Sequence, residues 1–162
     1  MTITLRTTEE NDIPFVSELE HAPENSPYVI PWQTERHREA LTHPDLQHLF
    51  AEKTETGHPV GYVILAGLAQ PHDSIELMRI TIAEKGKGYG RTILRQVKQW
   101  AFTERHANRL WLDVKETNER ALQLYLSEGF QIEGTLRECL KAGDTYESLI
   151  VLSMLGREYS IS

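Results

Sequence analysis

The chain has 162 residues and a formal net charge of -7 at pH 7, because 17 Lys and Arg stand against 24 Asp and Glu. This excess of acidic residues argues against nucleic acid as a main partner, since proteins that bind it carry basic surfaces. The length suits one domain with its own core, and no linker, repeat or low-complexity tract divides it, so we expect a single domain over residues 1–162.

The predicted location of the protein is the cytoplasm. Residues 1–6 alternate Thr with Ile and Leu and lack the basic and apolar regions of a secretion signal. No apolar run is long enough to span a membrane, so we expect no membrane partner. The single cysteine, Cys139, excludes an internal disulfide and fits that compartment.

The apolar periodicity predicts a mixed α/β chain. Asp12 is suited to cap the first helix, with Pro14 in its first turn, and a polar stretch at residues 21–33 leads to the second. In chain order, the predicted elements are a strand at residues 3–6, helices at 12–19 and 34–41, strands at 46–53, 60–68 and 75–82, a helix beginning near 92, a strand at 110–114, a helix beginning at 118, and strands at 130–133 and 146–155.

A run of glycine and basic residues joins the predicted strand at 75–82 to the next helix. The run consists of Lys85, Gly86, Lys87, Gly88, Tyr89, Gly90 and Arg91. Glycines let the backbone approach a ligand closely, and a helix N-terminus presents unpaired N–H groups and the positive end of its dipole. The run therefore predicts a phosphate-binding loop.

The spacing of this loop limits the choice of phosphate ligand. It excludes a P-loop, because Gly88 rather than Ser or Thr follows Lys87. A dinucleotide fingerprint requires a glycine where Arg91 stands, although Asp113, at the end of the next strand, would suit a ribose hydroxyl. An oxidoreductase that binds a dinucleotide therefore stays open as an alternative.

A second motif occupies residues 118–130, with the sequence N-E-R-A-L-Q-L-Y-L-S-E-G-F. Asn118 is predicted to be the N-cap of a helix, Tyr125 lies on its apolar face, and Gly129 is placed to end it. This motif resembles the N-x-x-A-x-x-L-Y-x-x-x-G-F signature of the GNAT superfamily of acyl-CoA-dependent N-acetyltransferases at every named position.

The glycine loop is similar to the Q/R-x-x-G-x-G/A loop of the same family. Gly88 and Gly90 match its glycines, and Lys85 stands where the family usually has Gln or Arg. The order of elements resembles the GNAT fold over nearly all the chain. The segment 134–137, with the sequence G-T-L-R, is similar to the tail of RimJ/RimL-like members.

The resemblance implies an α/β (α+β) fold in which helices flank a central mixed, mostly antiparallel, splayed sheet. It implies acetyl-CoA as co-substrate, with the acetyl group moved directly to a primary amine of a protein N-terminus, a polyamine or another small amine. The loop would bind the diphosphate, while two backbone groups of the preceding strand and one side chain would contact the pantetheine arm. The residues implied are Ile80, Ile82, Lys85, Gly86, Lys87, Gly88, Tyr89, Gly90, Arg91 and Asn118.

Acetyl transfer requires a neutral amine, and an amine of the lysine or polyamine type is almost wholly protonated at pH 7. Glu76, on the strand that enters the loop, is the candidate base, in a position that resembles the family's catalytic glutamate. Asp113 or a water relay is the alternative. The family places the general acid at Tyr125, whose hydroxyl would stabilise or protonate the departing thiolate.

Tyr28 and Trp32 fall where the first two helices of the family shape the acceptor pocket. They could stack on a cation, or they could fill the core. The rival to an enzyme is a non-catalytic acyl-CoA-binding regulatory module, and we expect a monomer or homodimer in which Cys139 takes no part in transfer. No metal is expected, because no H-x-x-x-H spacing occurs among the histidines, which are His21, His37, His43, His48, His58, His72 and His106.

Overall fold

A computed structural model of the protein describes residues 2–159, so the predicted domain, residues 1–162, extends outside the described residues at both ends. Within this range the strands are β1 Ile3–Thr7, β2 Leu46–Lys53, β3 Pro59–Ala66, β4 Ser74–Ile82, β5 Arg109–Lys115, β6 Gln131–Ala142 and β7 Thr145–Leu155. The α-helices are α1 Ile13–His21, α2 Thr34–Ala40, α3 Tyr89–Gln99 and α4 Glu119–Ser127. A π-helical turn, Trp100–Glu104, continues α3. None of these helices is both long and apolar enough to cross a bilayer.

The described strands form one seven-stranded sheet in the order β1-β2-β3-β4-β5-β7-β6. All neighbouring strands are antiparallel except β4 and β5. This parallel pair is short, because Ser74–Glu76 pair with residues 109–111 and the register stops there. The predicted mixed, mostly antiparallel and splayed sheet with flanking helices is confirmed.

A β-bulge lies where β4 leaves β5. On β3, Ile64 is opposite Arg79 and the next residue, Leu65, is opposite Leu77, so Met78 is an extra residue in β4. A bulge bends its strand and increases the local twist. β4 therefore bends just past its last pairing with β5, which opens a gap between the two strands.

Apolar side chains pack on both faces of the sheet. Along β3, Val63 and Leu65 face the core under α3, whereas Tyr62 and Ile64 face the core under α1 and α2. This is the alternation expected of a strand covered on both sides. The sheet therefore separates a layer formed by α3 and α4 from a layer formed by α1 and α2.

Two element boundaries differ most from the sequence prediction. Helix α3 begins at Tyr89 rather than near Thr92, so it follows the glycine loop without a spacer. The strand predicted at 130–133 is β6, which continues to Ala142. β6 is an edge strand paired with β7 alone, and its side chains are almost all exposed, so it lacks the apolar alternation that marks a strand in a sequence.

Candidate active site

A cleft of about 1070 Å³ occupies the gap between β4 and β5. Its walls are β4, the glycine loop, the start of α3, the end of β5 and part of α4. Residues 24–30 of the segment between α1 and α2 cover one end, and we call residues 22–33 the cleft loop.

The glycine loop has the backbone geometry that its sequence predicts. Gly86 and Gly88 have φ angles of 83° and 80°, a region that residues with a side chain rarely adopt. Gly88 is the N-cap of α3 and offers no side chain to cap it, so the first N–H groups of the helix have no side-chain partner there. A Cβ on Gly88 would meet no protein atom within 4 Å, which leaves open space at the helix N-terminus.

Most of the residues that the sequence assigns to the co-substrate lie together on the cleft wall. They are Ile80, Ile82, Lys85, Gly86, Gly88, Tyr89, Gly90, Arg91 and Asn118. Lys87 does not line the cleft. Asn118 is the N-cap of α4, as predicted, and its side-chain oxygen accepts a hydrogen bond from the Ala121 backbone N–H at 3.3 Å.

Arg91 does not point freely into the cleft, because it is paired with Glu128. This carboxylate, 4% exposed, accepts hydrogen bonds from Arg91, from Arg95 at 3.0 Å and from Lys98 at 3.1 Å. Burial on its own raises the pKa of Glu128, but the hydrogen bonds from Arg95, Lys98 and Arg91 lower it to about 2. Three cations of α3 are thus bound to the residue that ends α4, and no local pattern in the sequence indicates this contact.

Tyr125 lies on the buried side of α4 and lines the cleft. Its ring packs edge-on against Phe130, with ring centroids 6.0 Å apart. Burial raises the pKa of Tyr125, and the charge of Asp113 adds to this effect. The hydroxyl is therefore protonated at neutral pH.

Glu76 and Asp113 lie close to each other at the point where the sheet opens. Glu76 is in the last residue pair between β4 and β5, opposite Trp111, and Asp113 lies two residues further along β5. Burial, together with the charges of Asp113 and Asp45, raises the pKa of Glu76 to about 7. Asp113 lines the cleft and burial raises its pKa too, whereas Glu76 does not form part of the cleft wall.

The structure separates the two predicted aromatic residues of the acceptor pocket. Tyr28 is 41% exposed and lines the cleft. Trp32 is 7% exposed and lies outside it, with the guanidinium groups of Arg36 and Arg79 at 4.0 and 4.8 Å from its ring centroid. The ring of Trp32 thus already has cations against it and does not face the cleft.

The cleft loop is attached to both strands that separate. Arg79 of β4 donates a hydrogen bond to the backbone carbonyl of Ile30. Lys115 of β5 donates one to the carbonyl of Pro27 at 2.9 Å and also contacts Glu147 at 3.3 Å. The loop therefore bridges the two sides of the cleft.

Carboxylates contribute strongly to the cleft wall, namely Glu24, Glu84, Asp113 and Glu119. Across residues 2–159 no three His, Cys, Asp or Glu side chains are grouped so that they could hold a metal ion. Cys139 is exposed on β6 and does not line the cleft.

Comparison with known proteins places this fold and cleft in a family. The model described as "Acetyltransferase (GNAT) family" matches residues 13–130. The chain belongs to the GNAT acetyltransferase family. As a GNAT N-acetyltransferase it uses acetyl-CoA as co-substrate, as the resemblance implied, and an enzyme is favoured over a non-catalytic module.

Curated relatives extend over almost the whole chain of this GNAT acetyltransferase. A spermidine N(1)-acetyltransferase of Vibrio cholerae is 26% identical, over 97% of this chain and 95% of the relative. The spermidine N(1)-acetyltransferase of Escherichia coli strain K12 is 24% identical, over 97% and 88%. A crystal structure of the Vibrio cholerae spermidine N-acetyltransferase in complex with CoA and spermine is 25% identical, with a TM-score of 0.86 over 96% of each chain.

Replacing Glu76 by Gln should stabilise the protein at neutral pH but not at acidic pH. The folded state raises the pKa of Glu76 from 4.5 to about 7, so it favours the protonated carboxyl. The stability that comes from this proton is present below pH 4.5 and is lost as the pH rises through 7. Gln resembles the protonated acid. In urea unfolding, the free energy of unfolding of Glu76→Gln should therefore rise relative to that of the wild type between pH 4.5 and 7.

Glu128→Gln is the matched control, with the opposite sign. The pKa of Glu128 is lowered, so its stabilising contribution is present above pH 4.5 and is lost as the pH falls towards 2. Glu128→Gln should be less stable than the wild type at pH 7, and this deficit should shrink below pH 4.5. A pH-independent difference for Glu76→Gln would mean that Glu76 titrates as a solvated carboxyl.

Proposed function

We propose that this enzyme transfers the acetyl group of acetyl-CoA directly to a primary amine of a polyamine of the spermidine and spermine class. The observation that carries the proposal is that carboxylates line the cleft or lie beside it. Glu24 of the cleft loop and Asp113 of β5 line it, and Glu76 lies beside Asp113. The names of the relatives that match nearly the whole chain support the same acceptor.

The charges around the cleft suit a cation that carries more than one ammonium group. Three of the basic residues of the wall are already paired with carboxylates, since Arg79 contacts Glu20, Arg91 contacts Glu128 and Lys115 contacts Glu147. The carboxylates of Glu24 and Asp113 have no such cation in the described ion pairs. Carboxylates without a cationic partner on the wall of a cleft attract cationic ligands and raise their local concentration.

The polyamine proposal differs from the finer family resemblance to RimJ/RimL-like enzymes. That resemblance left protein N-termini and other small amines open as acceptors. The relatives described above are polyamine acetyltransferases, so they support a polyamine over a protein N-terminus. We further propose that residues 1–162 act as one cytoplasmic domain, and the predicted monomer or homodimer stays a prediction.

We assign Glu76 as the general base. Deprotonating an alkylammonium group at pH 7 costs about 4 to 5 kcal/mol, so an acceptor of this type needs a base. A base works best when its pKa is near the operating pH. Burial and the charges of two neighbouring carboxylates raise the pKa of Glu76 to about 7. Because Glu76 is not part of the cleft wall, Asp113 or a water molecule would pass the proton to it.

We assign Tyr125 as the general acid. Tyr125 lines the cleft on a rigid helix, and its protonated hydroxyl would donate to the thiolate that leaves when the thioester is attacked. The glycine loop at the N-terminus of α3 would bind the diphosphate, and β4 would pair with the pantetheine arm. Transfer would be direct, because Cys139, the only thiol, is not in the cleft wall.

A panel of amines tests the proposed acceptor. Release of the CoA thiol should give the highest kcat/KM with spermidine or spermine, above N-terminal peptides, amino acids and aminoglycosides. Butylamine is the matched control, because it offers the same nucleophile without further charges. Its kcat/KM should be lower, and only the polyamine rate should fall steeply with salt, since screening weakens attraction between exposed charges.

Two outcomes of the panel would contradict the proposal. A peptide that outcompetes the polyamines would assign the enzyme to acetylation of protein N-termini. Absence of thiol release with every amine would leave a module that binds acyl-CoA without this chemistry.

Gly88→Val should abolish most of the rise in melting temperature that acetyl-CoA gives to the wild type. A ligand that binds only the folded state stabilises it by mass action. A β-branched residue at φ 80° strains the loop and fills the space in front of the helix N-terminus. Differential scanning fluorimetry with and without acetyl-CoA measures the shift.

Gly57→Val is the control for backbone strain. Gly57 has a φ of 73° with open space around it, in the connection between β2 and β3. The Gly57→Val variant should have a lower melting temperature than the wild type but the same rise in melting temperature with acetyl-CoA. An equal shift in Gly88→Val and in the wild type would show that the diphosphate binds elsewhere.

Tyr125→Phe should lower kcat by at least about tenfold while the affinity for acetyl-CoA stays unchanged, because only the proton donor is removed. Steady-state kinetics together with calorimetric titration of acetyl-CoA separate the two effects. Tyr146→Phe, on the exposed part of β7, should leave both unchanged. A normal kcat in Tyr125→Phe would make this residue part of the packing only.

A further inference from the structure

Beneath the cleft loop lies a carboxylate with no exposed surface, that of Glu20 in the last turn of α1. Its Oε1 accepts hydrogen bonds from the backbone N–H of Trp32 at 3.1 Å and from His37 Nε2 at 2.9 Å. Its Oε2 accepts from Arg79 at 2.9 Å and from the hydroxyl of Tyr62. Burial would raise the pKa of Glu20, but its bonds with His37 and Tyr62 hold it below its ordinary value.

The donors to Glu20 are themselves held in place. His37 Nδ1 is 3.2 Å from His48 Nε2, and His48 Nδ1 is 2.8 Å from the hydroxyl of Thr8. Both ring nitrogens of both histidines therefore have partners within the buried layer. The rings cannot turn without losing these bonds, so His37 stays directed at Glu20.

Arg79 links Glu20 to the wall of the cleft. It follows the bulge at Met78 on β4, lines the cleft, and has a side chain that is 12% exposed. One of its terminal nitrogens donates to Glu20 and the other to the carbonyl of Ile30, while its guanidinium lies over the ring of Trp32. Glu20 thus binds the cleft loop directly at the Trp32 backbone and, through Arg79, at the Ile30 carbonyl.

The burial of this network is weak evidence that it adds to stability. Replacing a buried ion pair by well-packed apolar residues is often neutral or stabilising, because desolvation of the charges is costly. What such a pair supplies is a fixed geometry, and here the geometry is that of the loop which carries Glu24 and Tyr28 into the cleft.

We propose that Glu20 is a positioning residue of the amine site, which holds Arg79 and the cleft loop in the shape that receives the acceptor. This inference rests on the proposed function to the extent that the cleft loop lies on the acceptor side. Glu20 does not touch the reacting atoms. The contact between Lys115 and Pro27 holds the other end of the loop and does not involve Glu20.

Glu20→Gln tests the proposal with almost no change of shape. The amide has one acceptor oxygen, so its NH2 group must face either the Trp32 and His37 donors or the Arg79 and Tyr62 donors. In either orientation the loop loses one of its two links. The KM for spermidine should rise between about tenfold and hundredfold, as expected for a misplaced binding group, while the KM for acetyl-CoA changes less than about twofold.

Arg79→Met should give the same separation of the two KM values. Since Arg79 is one of the two links between Glu20 and the loop, the rise in the KM for spermidine of the double variant should be smaller than the product of the two single rises. If Glu20→Gln fails to fold, Arg79→Met decides the matter, because its side chain extends from the buried layer to the cleft.

Two control variants remove neighbouring groups that do not link Glu20 to the loop. Tyr62→Phe removes a donor to the same carboxylate oxygen and should lower stability without changing the KM for spermidine. Arg36→Met removes the other guanidinium over the Trp32 ring, at 4.0 Å, and should also leave that KM unchanged.

Hydrogen exchange of peptides from residues 24–33 gives a readout that needs no acceptor. The cleft loop should exchange faster in Glu20→Gln and in Arg79→Met than in Tyr62→Phe or the wild type. If no amine is acetylated, the proposed function fails, yet exchange still tests the positioning. Unchanged exchange in the folded variants, or an equal rise of both KM values, would overturn the inference.

Discussion

The short pairing of β4 with β5 is the constraint on which the rest of the structure depends. Two parallel strands need a crossover, and here the crossover is the glycine loop followed by α3. Because pairing stops at Glu76 and a bulge bends β4 at Met78, the two strands have already separated where β4 ends at Ile82 and the crossover begins. The cleft, the free N-terminus of α3 and the unpaired backbone of β4 all follow from this separation.

Two buried carboxylates hold the walls of the opening, one on each face of the sheet. Glu128 binds three cations of α3 and thereby fixes α3 to the end of α4, near the glycine loop. Glu20 binds Arg79 and the backbone of Trp32 and thereby fixes the cleft loop to β4. A gap in a sheet has no ladder of backbone hydrogen bonds across it, so side-chain contacts must set its width.

The sequence predicted the parts of this site that depend on local pattern. The glycine loop, the Asn118 cap and the order of strands follow from backbone preferences and periodicity within a few residues. Contacts between distant residues leave no such pattern, so Glu20 and Glu128 could not be assigned from the sequence. The separation of Tyr28 from Trp32 has the same cause, because which side of the cleft loop faces the cleft is decided by Glu20 and Arg79.

Because Glu76 lies beside Asp113, a positive charge on the acceptor would affect the ionisation of the proposed base. Burial raises the pKa of both carboxyls, and the charge of Asp113 raises the pKa of Glu76 further. A negative charge on Asp113 therefore opposes the ionisation of Glu76. An ammonium group that enters beside Asp113 offsets this repulsion and stabilises the ionised pair. The proposed base, Glu76, would therefore be in its basic form when the cation is bound. Loss of that proton from the amine then restores the repulsion, which favours protonation of Glu76. In the proposed reaction a cationic acceptor would thus favour the ionised form of its own base, an effect that a neutral acceptor would not have.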